Sequence, residues 1–309
     1  MGTDSGKQLL NEENNDLEDQ DLNDAIIYFT KAIESNPALE EMYVTRGIIY
    51  LQLGDHNKAI ADFTKAIELE PKNAAAYFNR GLANGELNKY LEALVDYTKV
   101  IELEPKNASA YNYRGNVYYE LNNYIKAIAD YTKVIKLDPK DVNVYNNRGA
   151  ANAKLKRCIK AIADFTKAIE LDPKDVDAYN NRGNVYHELK KYPDAIADYT
   201  EAIELDPMHV LAYTARGNAY GELNRHIEAI ADLTKAIELD PKDVDAYNNR
   251  GVAYGELKKY LEALADFTKV IELDPKDVNA YNNRGQAYKS LGEKKEADAD
   301  FAKAKALEK

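Results

Sequence analysis

The 309-residue chain has no tryptophan and a single cysteine, Cys158, so no internal disulfide can form. Its four histidines, His56, His187, His209 and His226, lie far apart in the sequence and lack metal-ligand spacing with one another or with Cys158. No glycine-rich phosphate loop is present, and no apolar run approaches the roughly 18 residues of a membrane span. The first residues show no basic-then-apolar leader, and Gly6 stands where a myristoylation signal after Met1-Gly2 has Ser or Thr. These gaps predict a non-catalytic chain without cofactor or metal, in a reducing, cytoplasmic compartment. Basic charge is also in short supply. The 41 Lys and Arg stand against 53 Asp and Glu, a net charge of −12. An acidic chain repels phosphate backbones, so neither nucleic acid nor an anionic membrane is the expected partner. Residues 1–24 concentrate this charge, with eight acids against Lys7 alone.

Abundance takes the form of repetition. Pro37, Pro71, Pro105, Pro139, Pro173, Pro207, Pro241 and Pro275 are spaced 34 residues apart, and glycines from Gly47 to Gly285 and alanines from Ala59 to Ala297 keep the same period. A fixed period in this range means stacked copies of one supersecondary unit. Counting position 1 of the unit at Glu40, apolar or small residues at positions 3, 4, 8, 10, 11 and 14 trace the buried stripe of one helix. Positions 20, 21, 24, 27, 28 and 30 trace the stripe of a second. Asn73, Asn107, Asp141, Asp175, Asp243 and Asp277 at position 34 are N-caps for the first helix, and the lattice proline stops the second. Pro193, off the lattice, falls in the first turn of a second helix, where proline is tolerated. Gly at position 8 and Ala at position 20 let the two helices approach closely.

The pattern Tyr-x-x-Arg-Gly-x-x-Tyr, then Ala-x-x-x-Phe/Tyr, then Pro resembles the tetratricopeptide repeat, in phase eight times: 40–73, 74–107, 108–141, 142–175, 176–209, 210–243, 244–277 and 278–309. A degenerate copy in residues 1–39, with Ala25, Phe29, Ala32 and Pro37, precedes them. The resemblance implies an all-α, right-handed superhelical solenoid of antiparallel helix pairs. In such an array the first helices line a concave groove that binds partner segments. The last repeat is expected to cap the array, because Asp298 and Lys305 replace the Ile or Leu that other repeats would bury against a successor.

One departure from the family is systematic: position 7, usually Leu, is Arg in all eight repeats. A guanidinium on the buried stripe needs a partner. Position 23 is Asp throughout, from Asp62 to Asp300, and the degenerate copy lacks both residues, with Glu12 and Tyr28 in their places. Pairing within a repeat, Arg46 with Asp62 through Arg284 with Asp300, is therefore predicted.

Positions 2, 5, 6, 9, 12 and 13 would face the groove. They hold Asn79, Asn112, Asn116, Asn146, Asn147, Asn180, Asn181, Asn184, Asn218, Asn248, Asn249, Asn282 and Asn283. Asparagine is a mediocre helix former, but its amide matches a peptide's C=O and N–H. The residues at position 6 (Asn79, Asn147, Asn181, Asn249, Asn283) resemble the asparagine ladder of the O-linked N-acetylglucosamine transferase, which holds extended peptides. The other reading is a solvated face copied by duplication, since residues 168–183 and 236–251 are identical. Toward the N-terminus the same face carries Phe78, Leu82, Tyr113 and Tyr119, either an apolar docking site or a surface covered by the N-terminal leucines. The carboxylate clamp of chaperone-tail binders is missing: no Lys occupies positions 2 or 5, while Glu86, Glu120, Asp177, Glu188, Glu222, Asp245 and Glu256 do face the groove. The expected role is a scaffold for a neutral or basic protein segment. The alternatives are a self-associating solenoid, a homodimer through its N-terminal end, and a substrate-recruiting subunit of an enzyme complex.

Overall fold

The computed structural model describes residues 21–308, all of whose regular structure is helical. Residues 21–35 form α1. The first helices of successive repeats are α2 (Glu40–Gln52), α4 (Ala74–Glu86), α6 (Ala108–Glu120), α8 (Val142–Lys154), α10 (Val176–Glu188), α12 (Val210–Glu222), α14 (Val244–Glu256) and α16 (Val278–Leu291). The second helices are α3 (His56–Leu69), α5 (Tyr90–Leu103), α7 (Tyr124–Leu137), α9 (Cys158–Leu171), α11 (Tyr192–Leu205), α13 (His226–Leu239), α15 (Tyr260–Leu273) and α17 (Lys294–Leu307). The chain divides into two compact units, Met1–Ala151 and Asn152–Lys309. The acidic N-terminal residues, with Leu9, Leu10 and Leu17 of the degenerate repeat, lie outside the described residues.

In the first unit α2 packs on α3, α3 on α4, α4 on α5, α5 on α6 and α6 on α7. The second repeats this series from α9 to α17, and first helices of consecutive repeats also touch, as α12 does α14 and α14 does α16. The elements begin and end where local chemistry dictates. Asn73 and Asp175 cap α4 and α10, their side-chain oxygens accepting the amides of Ala76 and Ala178 at 2.9 and 3.0 Å. His209, which the sequence pattern did not single out, does the same for α12: its Nδ1 accepts the Ala212 amide at 3.1 Å. The second helices end because the next lattice proline forces the residue before it into extended backbone, as at Asp206 with φ −131°.

The turn inside each repeat is made by a single left-handed residue at position 15. It is Gly54 and Gly292 in two repeats but Asn88, Asn122, Lys156, Lys190, Asn224 and Lys258 in the others, with φ of 56° to 59°. The crossing of the helices within a repeat explains the glycine at position 8. A Cβ on Gly183 would stand 2.7 Å from the Tyr199 ring, and one on Gly47 2.7 Å from Phe63. The position-24 side chain therefore lies on the glycine, and Tyr97, Tyr131, Tyr199, Phe63 and Leu233 are almost completely buried there.

Candidate functional site

The arginines of position 7 fix the helices that carry the site. In the seven repeats whose two partners share a unit, the predicted pair forms at 2.7–2.8 Å. It is bidentate: Arg182 donates from Nε and Nη2 to the two oxygens of Asp198 at 2.9 and 2.7 Å. The remaining nitrogen has a partner that the sequence reading missed. Nη1 donates to the threonine sixteen residues earlier, on the second helix of the preceding repeat, as from Arg182 to Thr166 at 2.9 Å and from Arg284 to Thr268 at 3.2 Å. The position-4 tyrosine lies against the same guanidinium, 5.8 Å away for Tyr179. Each arginine thus ties three helices together. Hydrogen bonding to Asp198 pushes the Arg182 pKa above its ordinary value, against the opposing effect of burial.

The structure treats the expected groove residues unequally. In the first unit the Asn79 amide donates to the Ala75 carbonyl of its own helix at 2.9 Å. Asn112 and Asn146 are half-buried. The Asn116 oxygen accepts the Tyr131 hydroxyl at 2.9 Å and the Asn147 amide at 3.3 Å. Phe78 and Leu82 are partly buried against Ala93, Tyr97 and Val117. Phe78 meets Tyr113 edge-on at 5.4 Å, and Tyr113 stays 40% exposed. Tyr119 rests on Tyr124 at 5.2 Å. In the second unit Asn180 is buried, at 7% exposure, and Asn184 accepts the Tyr199 hydroxyl at 2.8 Å. Asn248 accepts the Asn283 amide at 3.3 Å, and Asn282 is half-buried. Asn181, Asn218 and Asn249 are half-buried, and their amides make no side-chain hydrogen bond among the described residues.

Two of these bonds have a structural cause. Tyr131 and Tyr199 carry hydroxyls into the core, and burial pushes both phenols well above their usual pKa. Each needs an acceptor, and the asparagine at position 9 of the same repeat supplies it. The sequence alone does not signal this pairing, because Tyr97 has Leu82 at position 9 and Leu233, which lacks a hydroxyl, has Asn218.

Depressions recur between consecutive first helices. One in the first unit, about 330 Å³, is lined by Asn116, Tyr119, Glu120, Tyr131, Asn147 and Ala150. Two in the second unit lie between α12 and α14, about 330 Å³, and between α14 and α16, about 270 Å³. Their rims carry the exposed carboxylates Glu120, Glu222 and Glu256. Among the described residues no helix is long and apolar enough to cross a membrane, and no group of three or more His, Cys, Asp or Glu is placed to hold a metal.

This repeated helix pair, with its recurring crossing of a glycine by the position-24 side chain, defines an all-α repeat array. Models of the tetratricopeptide repeat match residues 176–209, 244–277 and 267–299, and models of the TPR repeat match 47–88, 85–122, 115–156, 159–190 and 217–258. The chain belongs to the tetratricopeptide repeat family. No curated protein matches the sequence. Among solved structures it is similar to YrrB, described as a TPR protein with an unusual peptide-binding site, at 28% identity over 60% of this chain and 95% of that one, TM-score 0.51. It is also similar to MamA, at 28% identity over 54% of this chain and 91% of the other, TM-score 0.51. A tetratricopeptide repeat protein from Parabacteroides merdae shares the fold over 80% of this chain and 98% of its own, at 22% identity and TM-score 0.62.

Proposed function

We propose that the chain is a protein-interaction scaffold whose first-helix face holds an extended, neutral-to-basic segment of a partner. The observation that carries this reading is the recurrence of the same depression at the same repeat positions, each edged by an asparagine of the next helix and an exposed glutamate. The peptide-binding site of YrrB, a relative by fold and sequence, supports it. Asn181, Asn218 and Asn249 are the amides available for a peptide backbone, whereas Asn116 and Asn184 serve the core. The apolar patch of Phe78, Leu82, Tyr113 and Tyr119 in the first unit offers anchoring for apolar side chains.

The test uses peptides selected from a random library on the wild-type chain. Each amide contact contributes about 0.5–1.5 kcal/mol. The triple variant Asn181→Ala, Asn218→Ala, Asn249→Ala should then bind every selected peptide at least about tenfold more weakly. Native circular dichroism is expected, since alanine is the better helix former. Unchanged affinity in a folded variant would assign binding elsewhere.

A further inference from the structure

The helix glycines are of two kinds. Gly217 and Gly251 lie under side chains of the second helix: a Cβ would stand 2.7 Å from Leu233 and from Phe267. Gly221 and Gly255, one turn later in α12 and α14, would have a Cβ that meets nothing within 4 Å. Glycine is disfavoured inside a helix because it gives up the most backbone freedom on folding, and no contact among the described residues accounts for it at these two positions. Sister repeats show what fills the place. In α6 it is Tyr119, whose ring covers that of Tyr124, the first residue of α7, at 5.2 Å. In α10 it is His187, which covers Tyr192 at 5.2 Å. In α14 the corresponding ring, Tyr260, has no such cover from position 12. It lines the depression between α14 and α16 together with Val252, Gly255, Glu256, Asn283 and Gln286. The depression one repeat earlier is lined in the same way by Gly221, Glu222, His226 and Asn249, and it shares Glu256.

We propose that these depressions are two consecutive sockets for arginine side chains of one partner segment. The proposal rests on the reading of the helix face given above and specifies what that face recognises. A planar guanidinium answers both halves of a socket. It stacks on the ring at the start of the second helix, His226 in one socket and Tyr260 in the other, and it pairs with an exposed carboxylate, Glu222 in the one and Glu256 in the other. A lysine ammonium supplies the charge without the plane, and a phenyl ring the plane without the charge. Spacing follows from geometry. Packed helices lie roughly 8–10 Å apart. A polyproline II segment repeats its side-chain direction every three residues, a rise of about 9 Å. The recognised pattern is therefore two arginines separated by two residues.

Fluorescence anisotropy on the full chain tests this with labelled proline-rich peptides carrying arginines three apart, arginines adjacent, lysines three apart or phenylalanines three apart. The first should bind at least about fivefold more tightly than each of the others. Gly255→Tyr supplies the covering ring from within, as Tyr119 does, and should weaken the first peptide at least about tenfold, as should Glu256→Gln. Gly255→Ala should retain native circular dichroism with a raised Tm, which shows that the position tolerates a side chain. Equal binding of the first peptide to wild type and to a folded Gly255→Tyr variant overturns the sockets, and so does equal binding of the lysine or phenylalanine peptide. If library-selected peptides ignore Gly255→Tyr but lose affinity in the triple asparagine variant, the sockets fall and the helix-face reading stands. If they ignore both, both readings fall.

Discussion

Every nitrogen of a position-7 guanidinium is engaged: Arg182 donates two bonds to Asp198 and one to Thr166, and Tyr179 lies against it. The side chains of Arg182 and Asp198 are 17% and 7% exposed, so water replaces little of what is removed. Asp198→Ala leaves the cation facing an apolar gap and should destabilise by roughly 2–4 kcal/mol, below the largest values for buried pairs because part of Arg182 reaches solvent. Thr166→Val removes one neutral acceptor and should lose only about 0.5–1.5 kcal/mol. Chemical denaturation of both variants gives the comparison, and equal losses would contradict the ranking. The aspartate was readable from sequence because arginine and aspartate disappear together in the degenerate copy. The threonine was equally readable. Position 25 is Thr from Thr30 to Thr268, sixteen residues before each arginine of position 7.

Each helix pair rests on a small number of enforced geometries. Position 15 adopts the left-handed region even where it is Lys156, Lys190 or Lys258, because the short connection to the second helix leaves no other path. Position 8 is glycine because the second helix sets a ring directly on its Cα. Gly183→Ala would place a methyl 2.7 Å from Tyr199, whose ring is packed on all sides, so the expected loss is about 1–3 kcal/mol despite alanine's helix propensity. Thermal denaturation checks this, and a variant as stable as wild type would mean that the helices separate without penalty. The same residue type thus serves two purposes in one helix. Sequence shows Gly217 and Gly221 as equivalent small residues, and only the position of Leu233 over one of them separates the two.

For the molecule as a whole, the outer face of a helix pair decides whether another unit stacks on it. In α17 the positions that other second helices fill with Ile or Leu are Asp298 and Lys305, and both are exposed. Asp298→Ile with Lys305→Leu should make the outer face of α17 apolar and produce self-association that rises with concentration. Sedimentation velocity over a concentration series reads this out. A double variant with the wild-type sedimentation coefficient throughout would show that these residues do not cap.

Sequence by itself determined the helices, their pairing in order, the caps and stops and the arginine–aspartate bond. These are local or depend on a register of 34 that repeats in phase. The tertiary structure decided where each asparagine amide goes. Asn116 and Asn184 turn to buried tyrosine hydroxyls, Asn79 turns back on its own helix, and the half-buried Asn181, Asn218 and Asn249 make no side-chain hydrogen bond among the described residues. The structure also decided which glycines lie under a ring and which open a depression. The physical reason is that periodicity assigns a side chain to a face of its helix, whereas its hydrogen bonds depend on which neighbouring group packs within about 3 Å of it. That neighbour varies from repeat to repeat while the period does not.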